Sequence, residues 1–354
     1  WVLWLAGGVD VYGGFGGTET DRIQRDWKAN TTIISGQNEL LCVYCMNSAT
    51  LDGFTLTLGR GKGLGGGMFG GTAVNCAFLG NRTISTFGAG GGGMCQGNAV
   101  NCVFMGNTAI TTGELSDCHG GGMSGGTAIN CIFTGNRAIC SNGTSYGGGM
   151  DYASATNCTF IGNAATGGYG GRGGGMSTGV AVNCTFVGNT VSGSDISQGG
   201  GKFDGSAVNC TFTGNTVSGG GSGGGMCQGS ATNCIFWGDF AAAGPELDSM
   251  ISVAFSCIQG GYAGTGNIAV NPKLANAPDE LWLLPGSPCL DAGTAAGAPV
   301  DDLLGHARPQ GAGVDMGAHE SAALGVPHAP VVGSDASAAN PPLWTWVSGG
   351  GGMG

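Results

Sequence analysis

A short sentence, GGGMCQGNAVNCVFMGN from Gly91 to Asn107, recurs seven times in variant form and limits what this chain can become. Its frame is GGGM, a spacer, then A-x-N-C-x-F-x-G-N. The shortest step between successive Asn-Cys pairs is 24 residues (Asn209 to Asn233) and the longest is 29 (Asn101 to Asn130). A fixed period of this size marks a repeat architecture and has to be settled before any single motif is weighed. Within each copy Val74, Cys76 and Phe78 alternate with Asn75, Ala77 and Leu79, which is the period of a strand. No window carries a sustained helical stripe. A leucine-rich repeat would need several leucines at fixed offsets, and a propeller blade is longer. A coil of short strands separated by turns fits the length. Coils stacked at the strand spacing of about 4.8 Å place like residues on like.

The fold class expected is therefore all-β, a right-handed parallel β-helix of about nine or ten coils, since parallel crossovers are overwhelmingly right-handed. Two rows should line its core. One is Cys76, Cys102, Cys131, Cys158, Cys184, Cys210 and Cys234; the other is Phe78, Phe104, Phe133, Phe160, Phe186, Phe212 and Phe236. Methionines form a third row, broken where Lys202 takes the place of Met, and that lysine is expected to turn outward. Stacked asparagine amides are expected to bond along the axis. Glycine and proline make up about a quarter of the chain, near the range that signals disorder when no period is present. Here the period argues for order.

The chain divides into irregular N-terminal coils (1–59), regular repeats (60–260), a segment expected to cap the last coil (261–320), a linker (321–342) and a terminal strand with its tail (343–354). Net charge is −11 with 9% charged residues. Arg60, Lys62, Arg82, Arg137 and Arg172 look scattered, so a nucleic-acid partner is not expected. No apolar run is long enough for a membrane span. The chain starts at Trp1, which is expected to mark a trimmed piece of a longer secreted protein.

Fifteen cysteines invite a disulfide framework. In the core row, however, parallel Cβ vectors would stay about 4.8 Å apart, beyond the 3.5–4.5 Å a disulfide uses. The pair expected to bridge is Cys118 with Cys140, in the variable stretches of consecutive copies. Cys42 and Cys45 form C-x-x-C, but on a strand the two should face opposite sides, which argues against a metal or redox pair.

The GGGM and F-x-G-N elements resemble the repeats of polymorphic outer-membrane protein passengers. The opening VDVYGGFGGTETDRIQRDWKANTTIISG resembles the start of secreted bacterial right-handed β-helix proteins. The stretch from LPGSPCLDAG to RPQGAGVDMGAHE is similar to the closing segment of those with a sortable C-terminal anchor. The resemblance implies export and a place at the cell surface, and it implies no catalytic residues.

No catalytic motif stands out. Asp117, Asp151, Asp195, Asp204 and Asp239 occupy different frame positions, and His119 stands beside Asp117 in the longest variable stretch, 108–119. No cofactor is expected. Ca²⁺ in the C-terminal segment, through Asp291, Asp301, Asp302, Asp315 and Glu320, is the one metal considered, against the commoner use of such residues in turns. The aromatic strands WVLWL, with Trp1 and Trp4, and LWTWV, with Leu343, Trp344, Trp346 and Val347, are expected to join molecules head to tail. The function expected is an extracellular structural protein that assembles with itself into a fibre. The alternatives are an adhesin that binds surface glycans through the 108–119 face and, third, a polysaccharide lyase or hydrolase.

Overall fold

The structure is a computed structural model that describes residues 1–46, 48–114, 116–194, 197–275 and 281–321. The chain winds into a parallel β-solenoid of about nine turns, consistent with a right-handed β-helix. The turn that starts at Met94 shows the plan. Met94–Val100 lies in a first sheet, Val103–Met105 in a second, Thr108–Glu114 in a third, and Cys118–His119 in a short fourth. Every pairing between named strands is parallel and joins equivalent positions of successive turns, as in Phe78 beside Phe104 beside Phe133. The variable stretch 108–119 is thus mostly strand, where a loop was expected. Its added residues extend the third sheet and supply the fourth.

The bends follow from the frame. Between the first and second sheets the Asn of Asn-Cys takes a left-handed conformation, with φ from 49° to 55° at seven positions from Asn75 to Asn233. Asparagine tolerates that region better than most residues. Between turns, Gly91 has φ 60°, and a Cβ on Gly92 would come within 2.3 Å of Gly121 O. GGG is therefore needed for close passage of one turn over the next.

The core is a set of columns. The seven Phe rings stack at centroid distances from 4.5 to 4.9 Å, nearly parallel, as the strand spacing dictates. Each is fully buried. Burial of one such ring stabilises by about 1.5–3 kcal/mol, and a stacked pair adds roughly 0.5–1.5 kcal/mol. The column from Cys76 to Cys234 is buried as free thiols, with each Sγ against backbone carbonyls, as Cys102 is on Val100 O at 3.2 Å. Cys42 and Cys45 are both buried in the same core, although they were expected to face opposite sides. Cys42 lies before the strand Val43–Cys45, so the alternation does not reach it.

Two asparagine ladders run along the solenoid. In the inner one Asn81, Asn107, Asn136, Asn163, Asn189 and Asn215 are fully buried. Each Nδ2 donates to the Oδ1 of the next turn, 3.0 Å for Asn107 to Asn136 and 2.9 Å for Asn136 to Asn163. The other amide hydrogen goes to a carbonyl of the Phe strand, and each Oδ1 also accepts a backbone N–H. The ladder ends at Asp239, which accepts from Asn215 at 2.8 Å.

Past the repeats, Ile251, Val253, Ile258 and Tyr262 pack on the end of the core. The segment expected to cap the last turn does more than that. Residues 281–321 fold back along the flank: Gly317 N donates to Asn233 O, Ala318 N to Thr211 Oγ1, and Asn183 Nδ2 to Asp301 O. A buried polar network holds this segment together. Arg308 bonds Glu320 at 2.7 Å, and Asp302 takes backbone donors from Leu304, His306 and Glu320. Burial pushes the Asp315 carboxyl up to about 7 and the His319 imidazole down to about 4.

Candidate functional site

The strand-to-strand register brings together side chains that the chain keeps far apart. The fourth sheet lines up His119 with Tyr146 and Tyr146 with Arg172. The residues just after the Met row form a neighbouring line in which Ser124 pairs with Asp151. Where the two lines meet, His119 Nδ1 lies 2.8 Å from Asp151 Oδ2. The Asp151 side chain is wholly buried, and that of His119 is 28% exposed. A carboxylate only accepts, so the proton of this contact sits on Nδ1 and the second ring nitrogen, Nε2, is not used by Asp151.

Aromatic rings surround this pair. Tyr146 stacks on His119 at 5.3 Å and 13°, and Tyr152 tilts against it at 5.5 Å. The Arg172 guanidinium lies 5.6 Å from the Tyr146 ring and 5.0 Å from the Phe203 ring, and its Nη1 donates to Tyr146 Oη at 3.3 Å. Such cation–π contacts fix the guanidinium plane. Tyr152 is 62% exposed and stands in the left-handed region with φ 50°. Gln96, Asp204 and Gln228 hold the same frame position with the same sign of φ, and Gly125 takes it in the turn between. A tyrosine there carries backbone strain of about 1 kcal/mol or more, of the kind that collects at functional sites. Burial and the nearby Asp151 carboxylate raise the Tyr152 hydroxyl pKa.

Sequence reasoning did not bring His119 and Asp151 together. Asp117 turns instead to the backbone N–H of Thr144 at 2.9 Å. Asp195 lies outside the described residues. The signal was present in the frame: His119 precedes one GGG and Asp151 follows the Met of the next copy, so in-register stacking makes them neighbours.

The other expected sites fall as follows. Cys118 and Cys140, the expected disulfide, stand as two free thiols, Cys118 on Ala109 O at 3.1 Å and Cys140 on Ser116 O at 2.7 Å. Burial pushes the Cys118 thiol up to about 12, so it stays protonated and a poor nucleophile. Lys202 does not turn outward. It is fully buried, and its Nζ donates to Ser177 O, Gly179 O and Asp204 O at 3.1, 2.9 and 2.6 Å. Burial lowers its pKa to about 8. Two of these carbonyls belong to the preceding turn and one to Asp204, and together they make a donor more useful there than a thioether. In the C-terminal segment Asp291, Asp302, Asp315 and Glu320 accept backbone N–H groups, and among the described residues no cluster of three His, Cys, Asp or Glu side chains is placed to hold a metal ion. Among the described residues no helix is long and apolar enough to cross a membrane. Leu343, Trp344, Trp346 and Val347 lie outside the described residues.

At the N-terminal end a second recess, of about 450 Å³, is lined by Trp1, Tyr44, Phe69, Leu40, Leu64, Glu39, Arg60 and Lys62. Its rings form a continuous row, Trp1 to Tyr44 at 5.3 Å and Tyr44 to Phe69 at 5.2 Å. Trp1 and Trp4 are about half exposed or more.

Compared with known protein families and with curated proteins, the chain matches none.

Proposed function

We propose that this chain is a carbohydrate-binding protein of the cell surface, an adhesin whose solenoid serves as a rigid post. The observation that supports this best is the gathering of His119, Tyr146, Tyr152 and Arg172 on one face across adjacent turns. Aromatic faces stack on sugar rings, and a fixed guanidinium and an imidazole nitrogen serve sugar hydroxyls. Tyr152 is 62% exposed at a frame position that Gln96, Gly125, Asp204 and Gln228 fill in other turns, so the turn itself does not need the aromatic ring. A carbohydrate array probed with the full chain tests the reading. Binding that falls at least tenfold in Tyr152→Gly, while thermal stability holds or rises, supports it. An array without binding, or binding indifferent to both Tyr152→Gly and Tyr146→Ala, sinks it. A lyase or hydrolase is less well served, because it needs paired carboxylates around the sugar and Asp151 is enclosed behind His119.

Head-to-tail assembly is a second reading, favoured by a separate observation. Among the described residues, Leu3–Leu5, Asp10–Tyr12 and Thr32–Ser35 each pair on one side only, beside exposed Val2, Trp4 and Ile33. Such edges are templates for strand addition. Negative-stain electron microscopy of the full chain beside a version ending at Ser321 tests it. Fibres that vanish on truncation support a fibre role, and single rods from both reject it.

A further inference from the structure

The basic residues that look scattered in the sequence form a row. Arg60 pairs in register with Arg82, Arg82 with Thr108, and Thr108 with Arg137, all on the outer face of the third sheet. Lys62 stands two residues from Arg60 on the same face, because Gly61 between them points inward and is buried. All four basic side chains are exposed. None of them makes an ion pair or a side-chain hydrogen bond among the described residues. Of the other basic groups, Arg22, Arg25, Arg172, Lys202 and Arg308 have polar partners and Lys28 lies over the Trp27 ring, while the exposed Lys273 lies outside the row. In a chain of net charge −11 with 22 acidic residues, four unpaired cations on one sheet face, with only Thr108 between Arg82 and Arg137, are not a consequence of composition.

Like charges on neighbouring strands repel and lower stability. A row that keeps this repulsion with no carboxylate in ion-pair contact is fitted to an anion from outside. The row runs along the solenoid axis, with a repeat set by the strand spacing of about 4.8 Å, close to the length of one pyranose ring in an extended chain. At its N-terminal end it opens into the recess of Trp1, Tyr44 and Phe69, which Arg60 and Lys62 also line. Glu39 stands in the same recess and can accept hydroxyl groups.

We infer that Arg60, Lys62, Arg82 and Arg137, with the Trp1–Tyr44–Phe69 recess, form a binding site for an acidic polysaccharide, separate from the His119 face. The guanidinium and ammonium groups take successive carboxylate or sulfate groups, and the aromatic recess stacks against a terminal sugar ring. A polynucleotide fits less well. Glu39 and the net negative charge repel a dense phosphate chain, and no basic patch extends past Arg137 on this sheet.

The test uses the full chain with polygalacturonate and dextran sulfate as acidic probes, neutral dextran as the uncharged probe, and single-stranded oligothymidylate as the nucleic-acid probe. Affinity is measured at low and at physiological salt. The expected result is binding to at least one acidic polysaccharide that weakens with salt, with little binding to dextran or the oligonucleotide. Arg82→Glu with Arg137→Glu should weaken it at least tenfold, with the far-ultraviolet circular dichroism melt unchanged because both side chains are exposed. Lys273→Glu, which changes an exposed cation outside the third sheet, should leave it unchanged, which separates the row from overall charge. No binding to either acidic polymer, equal affinity in the double variant, or tighter binding to the oligonucleotide would each overturn the inference.

Discussion

The two asparagine ladders are built from the same amide, stacked at the same spacing, yet they differ in burial and in direction. In the inner ladder every amide is enclosed, and the donors point toward the C-terminal end, to Asp239. In the outer ladder the amides sit at the left-handed bend and several are half exposed. There the donors point the other way: Asn130 Nδ2 gives to Asn101 Oδ1 at 3.2 Å, Asn101 to Asn75 at 3.3 Å, and Asn75 to Asp52 at 2.9 Å. Each chain of amides ends on a carboxylate at its acceptor end. An amide there would still need a partner for its own N–H groups, whereas a carboxylate only accepts. The two terminators are not equivalent, however. Asp52 has Arg25 as a counter-charge. Asp239 has Glu246 beside it, and its Oδ2 is buried without a hydrogen-bond partner.

The contrast can be broken most forcefully in the middle of the inner ladder. Asn136→Ala leaves the N–H and amide of Asn107 without an acceptor and Phe104 O without a donor. Each orphaned buried group costs about 1–3 kcal/mol, so a loss of roughly 3–5 kcal/mol is expected. Urea unfolding of the full chain measures it, and a loss under about 1 kcal/mol would show that the column is not a structural spine. Asp52→Asn keeps the oxygen that accepts from Asn75 but turns an amide toward the largely buried Arg25 guanidinium, for a loss of roughly 2–4 kcal/mol.

Asp239→Asn should act with the opposite sign and stabilise by about 1–3 kcal/mol at neutral pH, because it removes one of two adjacent buried carboxyl groups and the new amide has the Glu246 carboxylate beside it as its acceptor. Burial, then Glu246, raises the Asp239 pKa above its ordinary value. Between that ordinary value and the raised one the native chain binds more protons than the unfolded chain, so native stability falls as pH rises through this window. The asparagine variant escapes that loss. Its advantage should therefore shrink as the pH is lowered toward 4, and thermal melts across that range check the sign.

Asn130→Ala in the outer ladder should cost less, about 1–2 kcal/mol, from two half-exposed amide bonds and a non-glycine residue at φ 53°. Asn130→Gly should recover part of that loss, because it removes the backbone strain and leaves only the missing amides. Opposite signs for the two terminator variants, read in the same urea titration, would sharpen the comparison. Equal signs would refute it.

Much of this architecture was legible in the frame. The Phe column, the Cys column and the Asn bends occupy one frame position each, and a fixed position becomes a straight column once turns stack in register. The basic row was equally available, since Arg82 and Arg137 each follow a G-N pair and Arg60 follows the corresponding Gly59, yet charges read along the chain look dispersed. The His119–Asp151 contact was harder to see, because it joins two different frame positions in consecutive turns. The burial of Lys202 was signalled by its place in the Met row, but the carbonyls that receive its ammonium were not.

The sequence by itself determined the period, the strand alternation, the glycine and asparagine bends and the residues of the core columns, because those depend on local backbone conformation and on which side chains tolerate burial. Only the tertiary structure decided how the variable stretches were spent. It turned Thr108–Glu114 and Cys118–His119 into strand, laid residues 281–321 back along the flank, drew the Lys202 ammonium onto three carbonyls, and set His119 against Asp151 and Arg60 over Arg82. Those outcomes rest on distances between turns, fixed by strand spacing and register, and on the need of each buried polar group for a partner that may lie a full turn away.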